Sequence, residues 1–312
     1  MRKKSGVFGG RSTADQVLAG IDLTGKHCVV TGCTSGIGLQ TASALAANGA
    51  HVIALARTLE GAQRACQEIG YNCSPVQCDL EDLESVAAAA EVIRQRQVPL
   101  DVIVANAGIA NLGSLYIRYG VEQQFLVNHI GHFALVNELS SLLRDVTGRV
   151  VIVSSGAASA RATASRIMFD NLAGQRFYKP AWFYQQSKFA NAVYAKELSR
   201  RLQARGITVN TVNPGAVLGT ALGRHSSWVR RLARLAALPF GRSPAQGAAT
   251  VALLAASPNA AGVSGEYWYG CKIARGNPLL NDAELALRLW NTSEDIIAKH
   301  RASQTQALAR AA

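Results

Sequence analysis

Short apolar runs alternate along the chain with longer segments in which apolar residues recur at helical spacing. The runs predict buried strands at 27–31, 51–56, 75–78, 101–105, 149–154 and 207–213. The longer segments predict helices at 37–48, 59–69, 83–95 and 182–203. Strand and helix follow each other through short connections, which indicates a parallel sheet covered on both faces. The predicted fold class is therefore α/β: one doubly wound parallel sheet with helices on both faces.

The same pattern divides the chain into three parts. Residues 1–24 form a polar lead-in, where Ser12 or Thr13 can cap a short helix through Val17 and Leu18. Residues 25–300 contain the alternating elements and form the predicted functional domain. Residues 301–312 form a polar tail that we expect to be flexible.

The formal charge of +12 indicates that the protein binds an anionic partner. A nucleic-acid surface is disfavoured because no basic run alternates with aromatic residues and no known binding module is visible. A phosphate-bearing cofactor or an anionic membrane surface accounts better for the charge.

The cysteines and the N-terminus bear on location. No cysteine pair has C-x-x-C spacing and no histidine pair has zinc spacing, so no metal is predicted. We expect reduced, mostly buried thiols in a cytoplasmic protein. No apolar region follows the basic residues Arg2, Lys3 and Lys4, so a secretory signal is not expected. No apolar stretch approaches the roughly 18 residues of a membrane-spanning helix.

A glycine-rich turn, TGCTSGIG, follows the first predicted strand and opens the first predicted helix. Glycines let the backbone approach a pyrophosphate, which then lies at the positive end of the helix. The spacing is T-G-x-x-x-G-x-G, which resembles the short-chain dehydrogenase/reductase family and implies a Rossmann-type fold with a nicotinamide cofactor. The residues of the turn expected to hold that cofactor are Thr31, Gly32, Thr34, Ser35, Gly36, Ile37 and Gly38.

Other motifs of that family occur in order from about Thr24 onward. The resemblance implies further cofactor contacts from Asp79, Leu80, Asn106, Ala107, Gly108, Pro214 and Gly215. It implies a catalytic set of Asn128, Ser155, Tyr184 and Lys188, of which Tyr184 and Lys188 also contact the cofactor. Within the family, the chain is similar to the branch of retinol dehydrogenases and WW-domain-containing oxidoreductases, although it has no WW modules. That similarity rests on the segments FGGRSTADQVLAG, RFYKPAWFYQQSKFAN and GRHSSWVRR.

The chemistry of the catalytic set follows from its residue types. Tyr184 and Lys188 are four apart on a predicted helix, so they share one face. A neighbouring ammonium favours the phenolate, and we expect it to lower the tyrosine pKa from about 10. Tyr184 could then exchange the proton of an alcohol, while Ser155 donates a hydrogen bond to the reacting oxygen. The resemblance implies that Asn128 organises a water beside Lys188.

Neighbouring residues offer competing assignments. A tyrosine and a lysine one turn apart are common on helix surfaces, and only the accompanying motifs favour a catalytic role. His129 and His132 flank Asn128, and we interpret both as packing residues. Ser154 falls at the end of the predicted strand, which leaves Ser155 as the better match to the family serine.

Arg57 bears on the choice of cofactor. It follows the second predicted strand, where an acidic residue would hold the ribose hydroxyl of NAD(H). Ala56 ends that strand, and the arginine can pair with the 2′-phosphate of NADP(H) instead. The sequence therefore favours NADP(H) over NAD(H); the alternative is a solvent-facing arginine in a protein that binds NAD(H) weakly.

Residues 218–242 follow the last predicted strand, where the family places its substrate lid. Apolar residues such as Trp228 and Leu232 alternate there with arginines, which fits a lid over a lipophilic substrate or, through about 224–242, a peripheral membrane contact. The resemblance implies a retinoid-like, steroid-like or similar alcohol and its carbonyl partner. An inactive dinucleotide-binding regulatory protein and a nucleotide-sugar epimerase are the competing functions, and oligomeric state stays open.

Overall fold

The computed structural model describes residues 8–70, 72–110, 112–162, 165–218 and 241–311. Its strands are β1 (His27–Thr31), β2 (His51–Ala56), β3 (Cys73–Gln77), β4 (Val102–Ala105), β5 (Ile117–Arg118), β6 (Val121–Glu122), β7 (Arg149–Val153), β8 (Thr208–Asn213), β9 (Tyr267–Tyr269) and β10 (Lys272–Ile273). Its helices are α1 (Ala14–Leu18), α2 (Gly36–Ala47), α3 (Leu59–Ile69), α4 (Leu83–Arg94), α5 (Gln123–Phe125), α6 (Gly131–Ser140), α7 (Pro180–Arg201), α8 (Pro244–Ala256) and α9 (Ala283–Ala311). A π-helical turn, Leu126–Ile130, joins α5 to α6.

The main sheet of the described residues has the strand order β10-β9-β8-β7-β4-β1-β2-β3. β1 pairs in parallel with β2 on one side and with β4 on the other. The chain therefore runs outward from β1 to β3 and then returns to the opposite side of β1. This reversal of direction is where ligands bind in sheets of this kind, beyond the carboxyl ends of the strands.

Two apolar clusters cover the two faces of the sheet. On one face, α4, α6 and α7 pack over strand residues such as Ile103 and Val150. On the other face, α1, α2 and α8 pack around Val30 and Val104. The predicted architecture is confirmed, since a mostly parallel sheet lies between two layers of helices.

The sheet departs from the all-parallel prediction at one edge. β9 joins β8 in parallel, but β10 folds back and pairs antiparallel with β9. Gly270 and Cys271 connect the two strands with φ angles of 60° and 63°. Positive φ at both residues of a two-residue turn is the requirement of a tight hairpin, so the reversal is encoded locally.

The expectation of reduced thiols is wrong for one pair of cysteines. Cys66 near the end of α3 and Cys73 at the start of β3 form a disulfide, with Cα atoms 5.2 Å apart. The short turn from helix into strand brings them together, and their separation of seven residues carries no C-x-x-C signature. The remaining cysteines of the chain are buried thiols: Cys28, Cys33, Cys78 and Cys271.

Both terminal segments extend the fold. Thr13 caps α1, whose buried face packs against α8, so the described part of the lead-in contributes to the core. At the other end α9 continues to Ala311, through most of the segment expected to be a flexible tail. Good helix formers such as alanine and glutamine fill that segment. Arg301 also bonds Glu138 of α6 at 2.6 Å.

Most of the predicted substrate lid, 219–240, lies outside the described residues. Its described flanks are bonded to each other, since the N–H of Leu218 donates to the carbonyl of Arg242 at 3.0 Å and the N–H of Arg242 donates to the carbonyl of Ala216 at 2.9 Å. None of the described helices combines the length and the hydropathy needed to cross a bilayer.

Candidate active site

A cavity of about 530 Å³ opens at the carboxyl ends of the parallel strands, around the junction of β1 and β4. Every residue that the sequence predicts to hold the cofactor lines it. They include Arg57 after β2, Asp79 and Leu80 after β3, and Pro214 and Gly215 after β8. The predicted cofactor residues thus come together in one place, although they are spread over most of the chain.

The glycine-rich turn forms one wall and fits a bound phosphate. Gly32 has φ of +72°, and a Cβ there would lie 2.9 Å from the Cα of Ala107. A Cβ on Gly38 would lie 2.2 Å from the carbonyl oxygen of Gly32. The side chain of Ser35 makes no capping bond to α2. The open N–H groups at the start of that helix can therefore meet an anion in the cavity.

Thr31 locks this turn to the loop that follows β4. Its hydroxyl accepts hydrogen bonds from the N–H groups of Asn106 and Ala107, each at 2.9 Å. The Asn106 side chain in turn donates to the carbonyl of Thr31 at 2.9 Å. These bonds between residues about 75 positions apart fix the two loops that border the middle of the cavity.

Arg57 lies at the far end of the cavity and is exposed. No acidic residue ends β2, because Ala56 occupies that position and is buried. Thr58 next to it caps α3 by accepting from the N–H of Gly61 at 3.1 Å. Asp79, on the neighbouring loop, accepts from the N–H of Glu81 at 3.0 Å. This end therefore offers a free guanidinium to a ligand.

Asn128 does not line the cavity; it lies fully buried behind it. Its side-chain oxygen accepts from the N–H of Ile109 at 2.8 Å, and its amide donates to the Ile109 carbonyl at 2.9 Å. The amide also donates to the hydroxyl of Ser187 on α7 at 2.9 Å. Asn128 thus fixes the loop after β4 against the helix that carries Tyr184 and Lys188.

The two serines after β7 have different partners. The hydroxyl of Ser154 is engaged by the backbone carbonyl of Lys188. The hydroxyl of Ser155 accepts from the N–H of Ala157 at 3.1 Å, which leaves its own proton free to be donated into the cavity. The backbone carbonyl of Ser155 accepts from the hydroxyl of Tyr267 at 3.0 Å, a contact that no sequence motif indicates.

Tyr184 and Lys188 both reach the cavity from α7. Burial raises the pKa of Tyr184 to about 12, opposite to the direction expected from its lysine neighbour. Burial also lowers the pKa of Lys188 to about 8. The amine of Lys188 donates to the carbonyl of Val153 at 3.2 Å. Desolvation outweighs the attraction between the two groups here, because it disfavours the charged form of both.

His129 and His132 are buried and neither lines the cavity, in keeping with their interpretation as packing residues. Burial lowers the pKa of His129 to about 3 and that of His132 to about 4, so both are neutral at ordinary pH. Sequence reasoning did not single out most apolar side chains of the cavity wall, such as Ile109, Leu112, Val127 and Val217. They belong to loops and helix faces for which no motif exists.

Comparison with known proteins agrees with this geometry. The family model described as short chain dehydrogenase matches residues 26–229. The chain is 37% identical over 308 residues to the WW domain-containing oxidoreductase of Homo sapiens, covering 96% of this chain and 74% of that protein. It is 35% identical over 295 residues to retinol dehydrogenase 14 of Homo sapiens, covering 88% and 86%.

Solved structures give the same picture. An uncharacterised protein of Mycobacterium paratuberculosis aligns with a TM-score of 0.71 and 28% identity, over 92% of this chain and 97% of that one. A blue fluorescent protein from a metagenomic library, solved in complex with NADPH, aligns with a TM-score of 0.63 and 28% identity, over 79% and 96%. The chain belongs to the short-chain dehydrogenase family and is an alcohol/carbonyl oxidoreductase that uses a nicotinamide dinucleotide.

Proposed function

We propose that the protein is an NADP(H)-dependent oxidoreductase that interconverts a lipophilic primary or secondary alcohol and its aldehyde or ketone, with Tyr184 as acid/base. The observation that carries the proposal is the single cavity that joins a phosphate-binding turn and Arg57 to Ser155, Tyr184 and Lys188. A regulatory protein that only bound a dinucleotide would not need the second group of side chains.

The bound cofactor supplies the hydride. The protein supplies the proton: at neutral pH Tyr184 is a phenol, since its pKa lies near 12, and it can donate to a carbonyl oxygen. Ser155 can donate a second hydrogen bond to the same oxygen as charge develops on it. The protonation state of Tyr184 favours carbonyl reduction, whereas oxidation requires a phenolate that a cation in the cavity would have to stabilise.

Lys188 has two roles in this proposal. Its amine is held by the Val153 carbonyl and still has protons to donate to ligand hydroxyls. It also supports a positive potential beside Tyr184 whenever it is protonated. Gly108 leaves room for it, because a Cβ at that position would lie 3.1 Å from the lysine nitrogen.

The preference for NADP(H) rests on Arg57. It is exposed at the wall of the cavity, directly after β2, and makes no ion pair within the described part of the chain. A guanidinium in that position can bind a 2′-phosphate with two charge-assisted hydrogen bonds. The absence of an acidic residue at position 56 removes the group that would select the ribose hydroxyls of NAD(H).

A lipophilic substrate is supported by the apolar side chains of the cavity wall, among them Leu112, Val127 and Val217. Retinol dehydrogenase 14, a relative, is named for such an alcohol.

A membrane contact through about 224–242 stays a prediction, since 224–240 lie outside the described residues. We place the protein in the cytoplasm as part of the proposal, although the Cys66–Cys73 disulfide removes one reason for doing so.

A panel of lipophilic aldehydes, ketones and alcohols tests the proposal, with the absorbance of NADPH as the measurement. We expect turnover with at least one carbonyl compound and a rate at least about a thousandfold lower for Tyr184→Phe, which keeps the ring and loses only the proton donor. NADPH binding by this variant should be unchanged. If Tyr184→Phe retains more than about a tenth of wild-type turnover, Tyr184 is not the acid/base. Cofactor binding without turnover on any compound would favour the regulatory protein.

A further inference from the structure

His132 lies in the first turn of α6, one helical turn beyond Asn128, and is 1% exposed. Both nitrogens of its ring have partners. Nδ1 lies 3.0 Å from the backbone carbonyl oxygen of Asn128. Nε2 lies 2.9 Å from the hydroxyl of Thr31, which opens the glycine-rich turn 101 residues earlier in the chain.

The direction of each hydrogen bond follows from the chemistry of the partners. A backbone carbonyl only accepts, so Nδ1 of His132 carries the proton. In the neutral ring Nε2 is then an acceptor, and the hydroxyl of Thr31 must donate to it. That hydroxyl has both lone pairs engaged by the N–H groups of Asn106 and Ala107, so its proton is available for this bond. The Val104 carbonyl, at 3.5 Å from the same hydroxyl, is the weaker acceptor.

These bonds form one continuous chain through the back of the cavity. It begins at the N–H groups of the loop after β4, passes through Thr31 and His132, and ends at the carbonyl of Asn128. The π-helical turn from which Asn128 projects is a wider turn than an α-helix allows, with the N–H of Gly131 bonded to the carbonyl of Leu126. A bond from His132 holds a carbonyl of that turn in place.

From this geometry we infer that His132 is a positioning residue. It couples the glycine-rich turn, which begins at Thr31, to the π-helical turn that carries Asn128. Loss of the Nε2 contact would free the Thr31 hydroxyl to rotate toward Val104 and loosen the two loops that border the cofactor. Loss of the Nδ1 contact would loosen Asn128 and, through it, Ile109 and the helix that carries Tyr184. The inference rests on the proposed function only in requiring that the cavity bind a nicotinamide dinucleotide.

His129 provides a natural control, because it is an equally buried histidine in the same region. Its Nδ1 lies 3.3 Å from the side-chain oxygen of Asn191 and its Nε2 lies 3.0 Å from the hydroxyl of Ser293 on α9. Neither partner lines the cavity. Substitution of His129 should therefore lower stability without altering the two loops that border the cofactor, whereas loss of the Nε2 contact of His132 should lower stability and alter these loops.

The test measures the dissociation constant for NADPH by its fluorescence, together with the melting temperature, for His132→Gln, His132→Asn and His129→Gln. A glutamine amide can occupy the position of Nε2, whereas an asparagine amide can occupy only that of Nδ1. We expect His132→Asn to raise the dissociation constant about tenfold, the effect of losing one buried hydrogen bond from the support of the site. We expect His132→Gln to keep it within about threefold.

His129→Gln should lower the melting temperature by a similar amount and leave NADPH binding unchanged. The inference is overturned if the dissociation constants of the three variants simply follow their melting temperatures, or if His132→Asn binds NADPH as tightly as wild type. If the His132 variants do not fold, the tautomer of His132 in the wild-type protein decides, read from the ¹⁵N chemical shifts of its ring. We expect the proton on Nδ1, with Nε2 accepting from the hydroxyl of Thr31. A proton on Nε2 overturns the inference.

The same measurements separate this inference from the proposed function. A wild-type protein that binds neither NADPH nor NADH would contradict the cofactor assignment itself. A wild-type protein that binds NADPH but turns over no carbonyl compound would contradict only the proposed reaction and leave the role of His132 intact.

Discussion

At the reaction end of the cavity Lys188 is buried and Ser155 and Tyr184 are partly buried, whereas at the other end the guanidinium of Arg57 is exposed. The first end has to hold reacting atoms in one geometry, and burial shifts the pKa values of its tyrosine and lysine. The second end has only to distinguish two cofactors by charge. The difference teaches that a substitution at the first end should change rate and stability together, while one at the second should change selectivity alone.

Ser155→Ala should lower kcat strongly at the reaction end, although less than Tyr184→Phe. It removes one hydrogen-bond donor to the reacting oxygen, a change that costs about 2.7–4 kcal/mol or roughly 100–1,000-fold in kcat. The KM for NADPH should stay near the wild-type value, because the hydroxyl does not hold the cofactor in this proposal. Steady-state kinetics with the best carbonyl compound measures both.

Ser154→Ala is the matched comparison for Ser155. The Ser154 hydroxyl donates a hydrogen bond to the Lys188 carbonyl, so its loss should lower the melting temperature. It should lower kcat much less than Ser155→Ala does. If Ser154→Ala has the larger effect on kcat, the roles of the two serines are reversed.

Arg57→Ala should change only cofactor selectivity. The loss of a guanidinium opposite a 2′-phosphate should weaken NADPH binding about 10- to 100-fold, near the low end of charge-assisted hydrogen bonds because the site is exposed. NADH binding and the melting temperature should not change. Adding Ala56→Asp should reverse the preference, since the carboxylate repels the phosphate and accepts from the ribose hydroxyls.

Arg64→Ala is the control for charge, because Arg64 is also exposed and lies on the neighbouring helix α3, outside the cavity wall. It should leave binding of both cofactors unchanged. Equal loss of NADPH and NADH binding in Arg57→Ala would show that the arginine does not recognise the phosphate.

Lys188→Met should abolish most activity and yet stabilise the fold. This gain in stability is the smallest of the effects expected for Ser155→Ala, Arg57→Ala and Lys188→Met. The folded-state pKa of about 8 lies below the ordinary value of 10.5, so the fold disfavours the ammonium by about 3 kcal/mol. Part of this is offset by the lost hydrogen bond to Val153, worth about 1 kcal/mol. Urea denaturation at pH 7 should show a gain of about 1–2 kcal/mol in the free energy of unfolding.

The pH dependence of that gain follows from the sign of the shift. The ammonium penalty is fully present below about pH 8 and disappears as the pH rises toward 10.5. The advantage of Lys188→Met should therefore shrink over that range, while Lys196→Met, on the same helix with its amine 3.0 Å from the Gly265 carbonyl, should show no gain at pH 7. A Lys188→Met variant that is less stable than wild type at pH 7 would mean that the lysine is not appreciably desolvated.

The sequence predicted the parts of this molecule that short-range patterns encode. The apolar runs located β1 and β2 to the residue, and glycine spacing located the turn after β1, because only glycine permits the close backbone approach at Gly32 and Gly38. The contacts that hold the site together have no such signature. The bond between Thr31 and His132 and that between Tyr267 and Ser155 each join residues more than 100 positions apart.

The wrong expectations share a physical reason. The lowered pKa of Tyr184 was expected from the cations near it, whereas in the protein without cofactor the direction follows how much water the surrounding chain excludes. The Cys66–Cys73 disulfide likewise depends on how α3 turns into β3, which spacing alone does not specify. Burial and long-range proximity are properties of the folded chain, and single-sequence patterns give little information about either.

The pairing of β1 with β4 affects the order in which the protein folds and the stability of its native state. The two strands are separated by residues 32–101, and this segment must leave the sheet and return before they can pair. Such distant pairing costs loop-closure entropy and makes this junction a late and slow event in folding. A dinucleotide that spans the junction binds only after it has closed, so at a hundred times its dissociation constant it would stabilise the native state by about 2.7 kcal/mol. Cellular cofactor supply would then set the lifetime of the protein as well as its rate.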